Sequence, residues 1–186
     1  MQRLPAIDPS TATGEARRAL DEVETRLGTS PNVMRTIANS PAALRGYLAL
    51  DGALNAGTLD PSLRARIALA VAEANACQYC VATHTAVCRL LGLDEESITA
   101  AREAWSSDPK VAAALQFART VAEYRGDLTD EEFDRIRRAG YSNEEIAEII
   151  ANVVLCVYAN YFNSIAQTEI DVPISEPGAE TETDHA

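Results

Sequence analysis

Proline and glycine punctuate this chain at intervals that suit a succession of helices. Four prolines directly follow a serine or an aspartate, the residue types that cap helix N-termini, and proline is well tolerated in the first helical turn. These pairs are Ser30-Pro31, Ser40-Pro41, Asp60-Pro61 and Asp108-Pro109. Glycines stand where such helices should end, at Gly28, Gly92, Gly126 and Gly140. No segment alternates with a period of two for long enough to form a strand, so the sequence predicts an all-α fold.

The punctuation and the apolar periodicity together predict about nine helices in a single-domain helical bundle. The predicted helices lie near residues 12–27, 31–39, 41–55, 61–74, 77–91, 94–104, 109–125, 130–139 and 143–167. Their short links leave no room for a domain boundary, so one domain is predicted over 1–172. Residues 173–186 are acidic and poor in apolar side chains, and we expect a disordered tail there, with no role for its His185.

The charge balance restricts the partners and the location of the protein. The formal net charge is −12, which argues against nucleic acid and against an anionic membrane surface, because both are bound through lysine and arginine. The first ten residues lack the apolar segment of a secretory signal, and no uninterrupted apolar run approaches the roughly 20 residues of a membrane span. We therefore expect a cytoplasmic protein with reduced thiols and neither a nucleic-acid nor a membrane partner.

Cys77 and Cys80 form a Cys-x-x-Cys pair, and His84 follows four residues later. On a helix the two cysteines share a face about 4.5 Å apart along the axis, and His84 lies one turn beyond Cys80, displaced by ~6 Å. A proton of Cys80 can then pass to His84 directly or through one water, while Cys77 suits the partner that closes a disulfide. A helix that begins near Cys77 also favours a thiolate there. These three residues are the predicted catalytic set, and the predicted chemistry is thiol redox.

Three other interpretations of the cysteines compete with redox chemistry: a metal site, packing as small apolar residues, and an inert remnant. A metal site on the stripe that includes Cys88 is disfavoured, because Cys77 and Cys88 would lie ~16 Å apart along a continuous helix. No metal and no bound cofactor are therefore predicted. Cys88 and Cys156 are interpreted as small apolar residues of the core. The dithiol could also be an inert remnant on a scaffold whose role is assembly, and this alternative stays open.

The stretch from Ile67 to Thr85, which contains Glu73-Ala-Asn-Ala-Cys77-Gln-Tyr-Cys80-Val-Ala-Thr-His84, resembles the alkyl hydroperoxidase D-like branch of the carboxymuconolactone decarboxylase family. The stretches 31–41 and 160–171 resemble the same branch, so the likeness runs from about 20 to 173. The resemblance implies an all-helical fold that assembles as trimers or hexamers. It also implies a dithiol peroxidase in which Cys80 attacks the hydroperoxide, Cys77 resolves the sulfenic acid as a disulfide and His84 relays the proton. An external dithiol, or a thioredoxin-like or lipoyl reductant, would reset such an enzyme.

The chain departs from the family pattern at positions that bear on the proton relay. Family members usually carry a glutamate twelve residues before the first cysteine, where this chain has Ala65. Glu73 is the nearest carboxylate in sequence and is a candidate substitute. Ser164 stands where a histidine is expected, and Ala76 replaces the glycine that usually precedes the first cysteine.

The function predicted from these residues is a thiol-dependent peroxidase of small organic hydroperoxides. One alternative is a redox-switch or disulfide-exchange protein, and a weaker one is a lactone decarboxylase-like enzyme, since such relatives generally lack the Cys-x-x-Cys pair. Which thiol attacks and which resolves stays open. The helix N-terminus favours Cys77 as the more acidic thiol, whereas the proximity of His84 favours Cys80. The resemblance assigns the attack to Cys80. Abundant apolar surface on the helices at 31–55 and 143–167 predicts a homo-oligomer, unless all of it is internal core.

Overall fold

A computed structural model describes residues 2–172, and the predicted tail at 173–186 lies outside the described residues. The described chain forms nine α-helices and no strand, which confirms the predicted all-α fold. The helices are α1 (Gly14–Leu27), α2 (Asn32–Ile37), α3 (Pro41–Asn55), α4 (Pro61–Ala74), α5 (Gln78–Leu90), α6 (Glu95–Arg102), α7 (Pro109–Glu123), α8 (Asp130–Arg138) and α9 (Asn143–Ala166).

In the described chain six of the nine helices begin at a residue whose side chain accepts hydrogen bonds from the first backbone N–H groups, whereas α1, α2 and α5 have no such side-chain cap. The Asp60 carboxylate accepts hydrogen bonds from the first backbone N–H groups of α4, and the Asp108 carboxylate does the same for α7. At α2, however, Pro31 precedes the helix instead of occupying its first position. The N–H of Asn32 donates to the distant Asp171 carboxylate over 2.7 Å, so a tertiary contact supplies the cap that the local sequence lacks.

Helix α4 lies at the centre of the bundle and packs against α5, α6, α7 and α9. Its residues from Ile67 to Ala72 are all buried, so the helix is covered on every side. Alanines alternate with larger apolar side chains along this stretch, and their small volume lets neighbouring helices approach closely. The segment that leads into the Cys-x-x-Cys pair is therefore one of the most firmly packed parts of the chain.

Helix α9 is long and apolar enough, by length and composition alone, to cross a membrane. A search for uninterrupted apolar runs does not predict this, because asparagines interrupt the sequence of the helix. Half of its most apolar window is buried inside the bundle, and it packs against α2, α3, α4, α5 and α7. Three asparagines on α9, Asn152, Asn160 and Asn163, are buried among these neighbours. This is the position of a core helix in a soluble protein.

One face of α9 remains uncovered in the single chain. Its large apolar side chains recur every three or four residues and are between 37% and 65% exposed. They are Ile150, Val154, Tyr158, Tyr161 and Ile165, and we call them the α9 stripe. On the predicted helical region 31–55, by contrast, Leu50 is the one large apolar side chain that is exposed. The surplus apolar surface expected from the sequence is therefore concentrated on α9.

Candidate active site

A tight turn between α4 and α5 places the Cys-x-x-Cys pair at the start of a helix. Asn75 ends α4, and Ala76 adopts a left-handed backbone conformation with φ of 51°. The N–H of Cys77 then donates to the Ala72 carbonyl over 3.0 Å, which closes the end of α4. Cys77 itself is the N-cap of α5, as the sequence predicts. An alanine at this left-handed position is strained relative to glycine, and the turn nevertheless forms.

The two sulfurs lie against each other inside the protein. Cys77 and Cys80 are free thiols, each only 3% exposed, and a hydrogen bond joins their Sγ atoms at 2.8 Å. The side-chain amide of Asn163 on α9 donates to the Sγ of Cys80 over 3.3 Å. Cys80 therefore contacts a hydrogen-bond donor from a helix that is remote in sequence, whereas Cys77 sits at the N-terminus of its own helix.

The surroundings of the two thiols make Cys77 the more acidic one. A hydrogen bond from the Cys80 thiol, backbone N–H groups of Cys80 and Tyr79, and the Ser164 side chain lower the pKa of Cys77 to about 7, although burial opposes them. The pKa of Cys80 is raised, first because its thiol donates to Cys77 and second because it is buried. The shared proton therefore belongs to Cys80, and the thiolate to Cys77.

A cavity of about 690 Å³ opens beside the dithiol. Its walls come from α1, α2, α3, α5 and α9 and are largely apolar. Cys80 lines this cavity, whereas Cys77 does not. Polar side chains in the wall besides Cys80 and His84 are Arg26, Tyr47, Asp51, Asn55, Tyr79, Thr83 and Asn163. Cys77 is thus the more acidic thiol, whereas Cys80 is the thiol that reaches the cavity.

His84 also lines the cavity, one helical turn after Cys80. Its side chain is partly buried, and burial lowers its pKa to about 4. No hydrogen bond to its ring occurs within residues 2–172. A neutral imidazole with an unoccupied ring nitrogen is the form that can accept a proton near neutral pH.

The other residues singled out in the sequence lie in structural positions. Glu73, the candidate relay carboxylate, accepts a 2.9 Å hydrogen bond from Arg102 and does not line the cavity. Ala65 is buried within α4. Cys88 and Cys156 are buried, as the packing interpretation predicts, and burial raises their pKa values to about 11 and about 12. Among residues 2–172 no group of three or more histidine, cysteine or acidic residues is placed to hold a metal ion.

Sequence reasoning missed the asparagines of α9 as part of the site. Asn160 accepts a 2.9 Å hydrogen bond from the Asn75 side chain, and its own buried Nδ2 has no hydrogen-bond partner in the described chain. The Oδ1 of Asn163 is likewise buried without a partner there. Buried polar groups are normally paired, so asparagines at core positions of an apolar helix were the available signal.

Sequence reasoning also missed how Tyr79, between the two cysteines, is held. Its hydroxyl donates to the Asp171 carboxylate over 2.8 Å and accepts from the Val33 N–H over 3.2 Å. Asp171 also accepts from the N–H of Asn32, so the end of the described chain is fastened to α2 and to the dithiol turn. We call these contacts the Tyr79–Asp171 latch.

Comparison with known proteins identifies the fold and gives a family match for part of the chain. Residues 41–123 match the carboxymuconolactone decarboxylase family. The fold is similar to that of an alkylhydroperoxidase AhpD core, a peroxidase-related protein from Ralstonia eutropha, with a TM-score of 0.80 and 24% identity over 91% of this chain and 92% of that chain. It is also similar to the debrominase Bmp8, whose cysteine-to-alanine variant is in complex with 2,3,4-tribromopyrrole, with a TM-score of 0.78 and 24% identity over 90% and 91% of the two chains.

A peroxidase-related protein from a Silicibacter species has a TM-score of 0.76 and 22% identity, covering 89% of this chain and 88% of that chain. No curated protein sequence is significantly similar to this one. The resemblance recognised in the sequence is confirmed: the chain has the alkyl hydroperoxidase D-like fold, and its residues 41–123 match the carboxymuconolactone decarboxylase family.

Proposed function

We propose that the protein is a thiol-dependent peroxidase that reduces small organic hydroperoxides through the Cys77–Cys80 pair. Its family and fold suggest a peroxidase-related or antioxidant enzyme. The observation that carries the finer proposal is the arrangement of the sulfurs. Cys80 reaches a largely apolar cavity of about 690 Å³, and the second thiol lies 2.8 Å from it. An apolar cavity suits an organic hydroperoxide, and an adjacent thiol suits rapid capture of the oxidised sulfur.

The attack is assigned to Cys80 because it is the thiol that lines the cavity. As Cys80 attacks the terminal oxygen of the hydroperoxide, its proton passes to the neutral ring of His84 during the attack and not before it, because the pKa of Cys80 is raised and that of His84 is lowered. An S–O bond forms and the O–O bond breaks, so the alkoxide leaves with the bonding pair and becomes an alcohol on protonation. The products of this half-reaction are an alcohol and a sulfenic acid at Cys80.

Cys77 completes the cycle as the resolving thiol. Its low pKa of about 7 keeps a large fraction in the thiolate form at neutral pH, ready to attack the Cys80 sulfenic acid. A disulfide forms and the sulfenic oxygen leaves as water. An external dithiol then reduces the disulfide, and a thioredoxin-like or lipoyl reductant in the cytoplasm is the proposed partner.

We also propose that the chain acts as a homo-oligomer, with the α9 stripe in the interface. The five large apolar side chains of the stripe form an exposed apolar patch on one helix face. A second copy of the chain would bury this patch and remove it from water. A trimer or a hexamer is the assembly that the family resemblance implies.

The proposal is tested by consumption of cumene hydroperoxide with excess dithiothreitol. Cys80→Ser should abolish consumption, and Cys77→Ser should accumulate a sulfenic acid at Cys80 that dimedone labels. Cys88→Ser is a matched control, because Cys88 is buried and does not line the cavity, and it should keep full activity. Full turnover by the Cys80→Ser variant would refute the mechanism. If no variant turns over, different elution of the oxidised and reduced proteins in size-exclusion chromatography would favour a redox switch.

Reductive dehalogenation is a second candidate, favoured by the apolar wall beside Cys80 and by the similarity in fold to the debrominase Bmp8. The same dithiol supplies the two electrons. A carbon–bromine bond becomes a carbon–hydrogen bond, bromide and a proton are released, and the Cys77–Cys80 disulfide forms. Polybrominated pyrroles with dithiothreitol are the probe. Cys80-dependent bromide release without any peroxide consumption would replace the peroxidase proposal.

A further inference from the structure

Reduction of a hydroperoxide requires a group that protonates the leaving alkoxide. An alkoxide is a strong base, and its formation in a largely apolar cavity is costly unless a proton or a hydrogen bond meets it. The family glutamate position is Ala65 here, and Glu73 is bound by Arg102 outside the cavity. A separate donor at the leaving oxygen would let the alkoxide be protonated while His84 is still taking the proton of Cys80.

Tyr47 on α3 lines the same cavity as Cys80 and His84. Its side chain is partly buried, and within residues 2–172 no hydrogen bond involves its hydroxyl. The Tyr158 ring packs against it with the ring centroids 5.9 Å apart, which fixes the orientation of the Tyr47 ring. A tyrosine with a fixed ring therefore lines the cavity where substrate would bind.

Most other side-chain donors of the cavity wall are committed to partners. Arg26 and Asn55 donate to acidic side chains one turn earlier in their own helices. Tyr79 donates to a carboxylate, Thr83 to a backbone carbonyl, and Asn163 to the cysteine sulfur. The hydroxyl of Tyr47 is thus available to a ligand without loss of a contact in the described chain.

The electrostatic surroundings keep this hydroxyl protonated. Burial raises the pKa of Tyr47, and negative charge on Asp51 raises it further. Tyr47 and the attacking Cys80 line the same cavity. At neutral pH the side chain is therefore a neutral donor and not a competing anion.

We propose that Tyr47 is a catalytic residue that donates its hydroxyl hydrogen to the leaving oxygen of the hydroperoxide; this inference rests on the proposed peroxidase function. As the Cys80 thiolate forms the S–O bond and the O–O bond breaks, the phenolic proton passes to the alkoxide and gives the alcohol. The imidazolium of His84, which holds the former Cys80 proton, returns a proton to the tyrosinate directly or through water. The sum is one hydroperoxide and one thiol converted to one alcohol and one sulfenic acid.

The test compares two oxidants whose leaving groups differ in their need for a proton. Tert-butyl hydroperoxide releases a basic alkoxide, whereas peracetic acid releases acetate, which is stable as an anion at neutral pH. Tyr47→Phe removes only the hydroxyl. It should lower kcat/KM for tert-butyl hydroperoxide by about 100-fold, the lower end of the usual effect of general acid catalysis, and change that for peracetic acid by less than about 3-fold.

Tyr124→Phe is the matched control, because it removes the same hydroxyl from an exposed tyrosine that does not line the cavity. It should behave like the parent protein with both oxidants. Retained turnover of peracetic acid also shows that the Tyr47→Phe variant is folded. An equal loss of activity with both oxidants, or no loss with either, would refute the role of Tyr47 but leave the peroxidase function standing. If the parent protein showed no Cys80-dependent consumption of either oxidant, the peroxidase function and this inference would both be refuted.

Discussion

The acidity of the Cys77 thiol is the prediction that the structure makes most directly. A cysteine with the ordinary pKa of 9.0 is about 1% ionised at pH 7, whereas a thiol with a pKa of about 7 is about half ionised. The difference of about two pKa units is on the order of 3 kcal/mol in favour of the thiolate. The structural causes are the Cys80 thiol, the N-terminal amides of α5 and the Ser164 side chain. Because the folded-state pKa is lowered, this stability is fully present above pH 9 and is lost as the pH falls through 7.

Titration of the reduced protein, followed by the ultraviolet absorbance of thiolates, measures this acidity without needing access to the buried sulfur. One thiolate should appear near pH 7, while Cys88 and Cys156 should ionise only near 11 and 12. Cys77→Ser should remove the step near pH 7. Cys80→Ala should move it upward, because alanine has no side-chain donor and the largest cause of the shift is then lost.

Cys88→Ser is the control for the titration and should leave the step near pH 7 unchanged. The result that would refute the reasoning is a step near pH 7 that survives in Cys77→Ser and disappears in Cys80→Ala. The acidic thiol would then be the one that lines the cavity, and the helix N-terminus would not determine which sulfur ionises. A single titration of all thiols near pH 9 would equally exclude the proposed hydrogen-bond pattern.

Three further predictions concern stability and assembly. Burial lowers the pKa of His84 to about 4, so the free energy of unfolding should fall by at most about 3 kcal/mol as the pH falls from 6.5 towards 4. Urea unfolding at several pH values should show this loss in the parent protein and not in His84→Gln. Asp171→Asn should weaken the Tyr79–Asp171 latch and lower the free energy of unfolding by about 1–2 kcal/mol, and an unchanged denaturant midpoint would contradict the latch. Val154→Glu, in the α9 stripe, should shift size-exclusion chromatography towards the monomer, and an unchanged elution volume would place the interface elsewhere.

The helices could be predicted from the sequence because their signals are local. The aspartates before Pro61 and Pro109 bond the first amides of α4 and α7, so capping and proline geometry act within a few residues. The start of α2 could not be placed in the same way. Its first N–H is bound by Asp171, 139 residues away, and no local pattern reports such a contact.

The same distinction between local and long-range contacts applies to the candidate site. The sequence by itself determined that Cys77, Cys80 and His84 share one helix and one face, since their spacing and the turn before Cys77 fix this locally. Only the tertiary structure decided that Cys80 faces the cavity, that Asn163 contacts its sulfur and that Glu73 is bound to Arg102. The shape of a cavity and the pKa values of the groups in it depend on side chains from helices that are distant in sequence. No single stretch of the chain therefore predicts them.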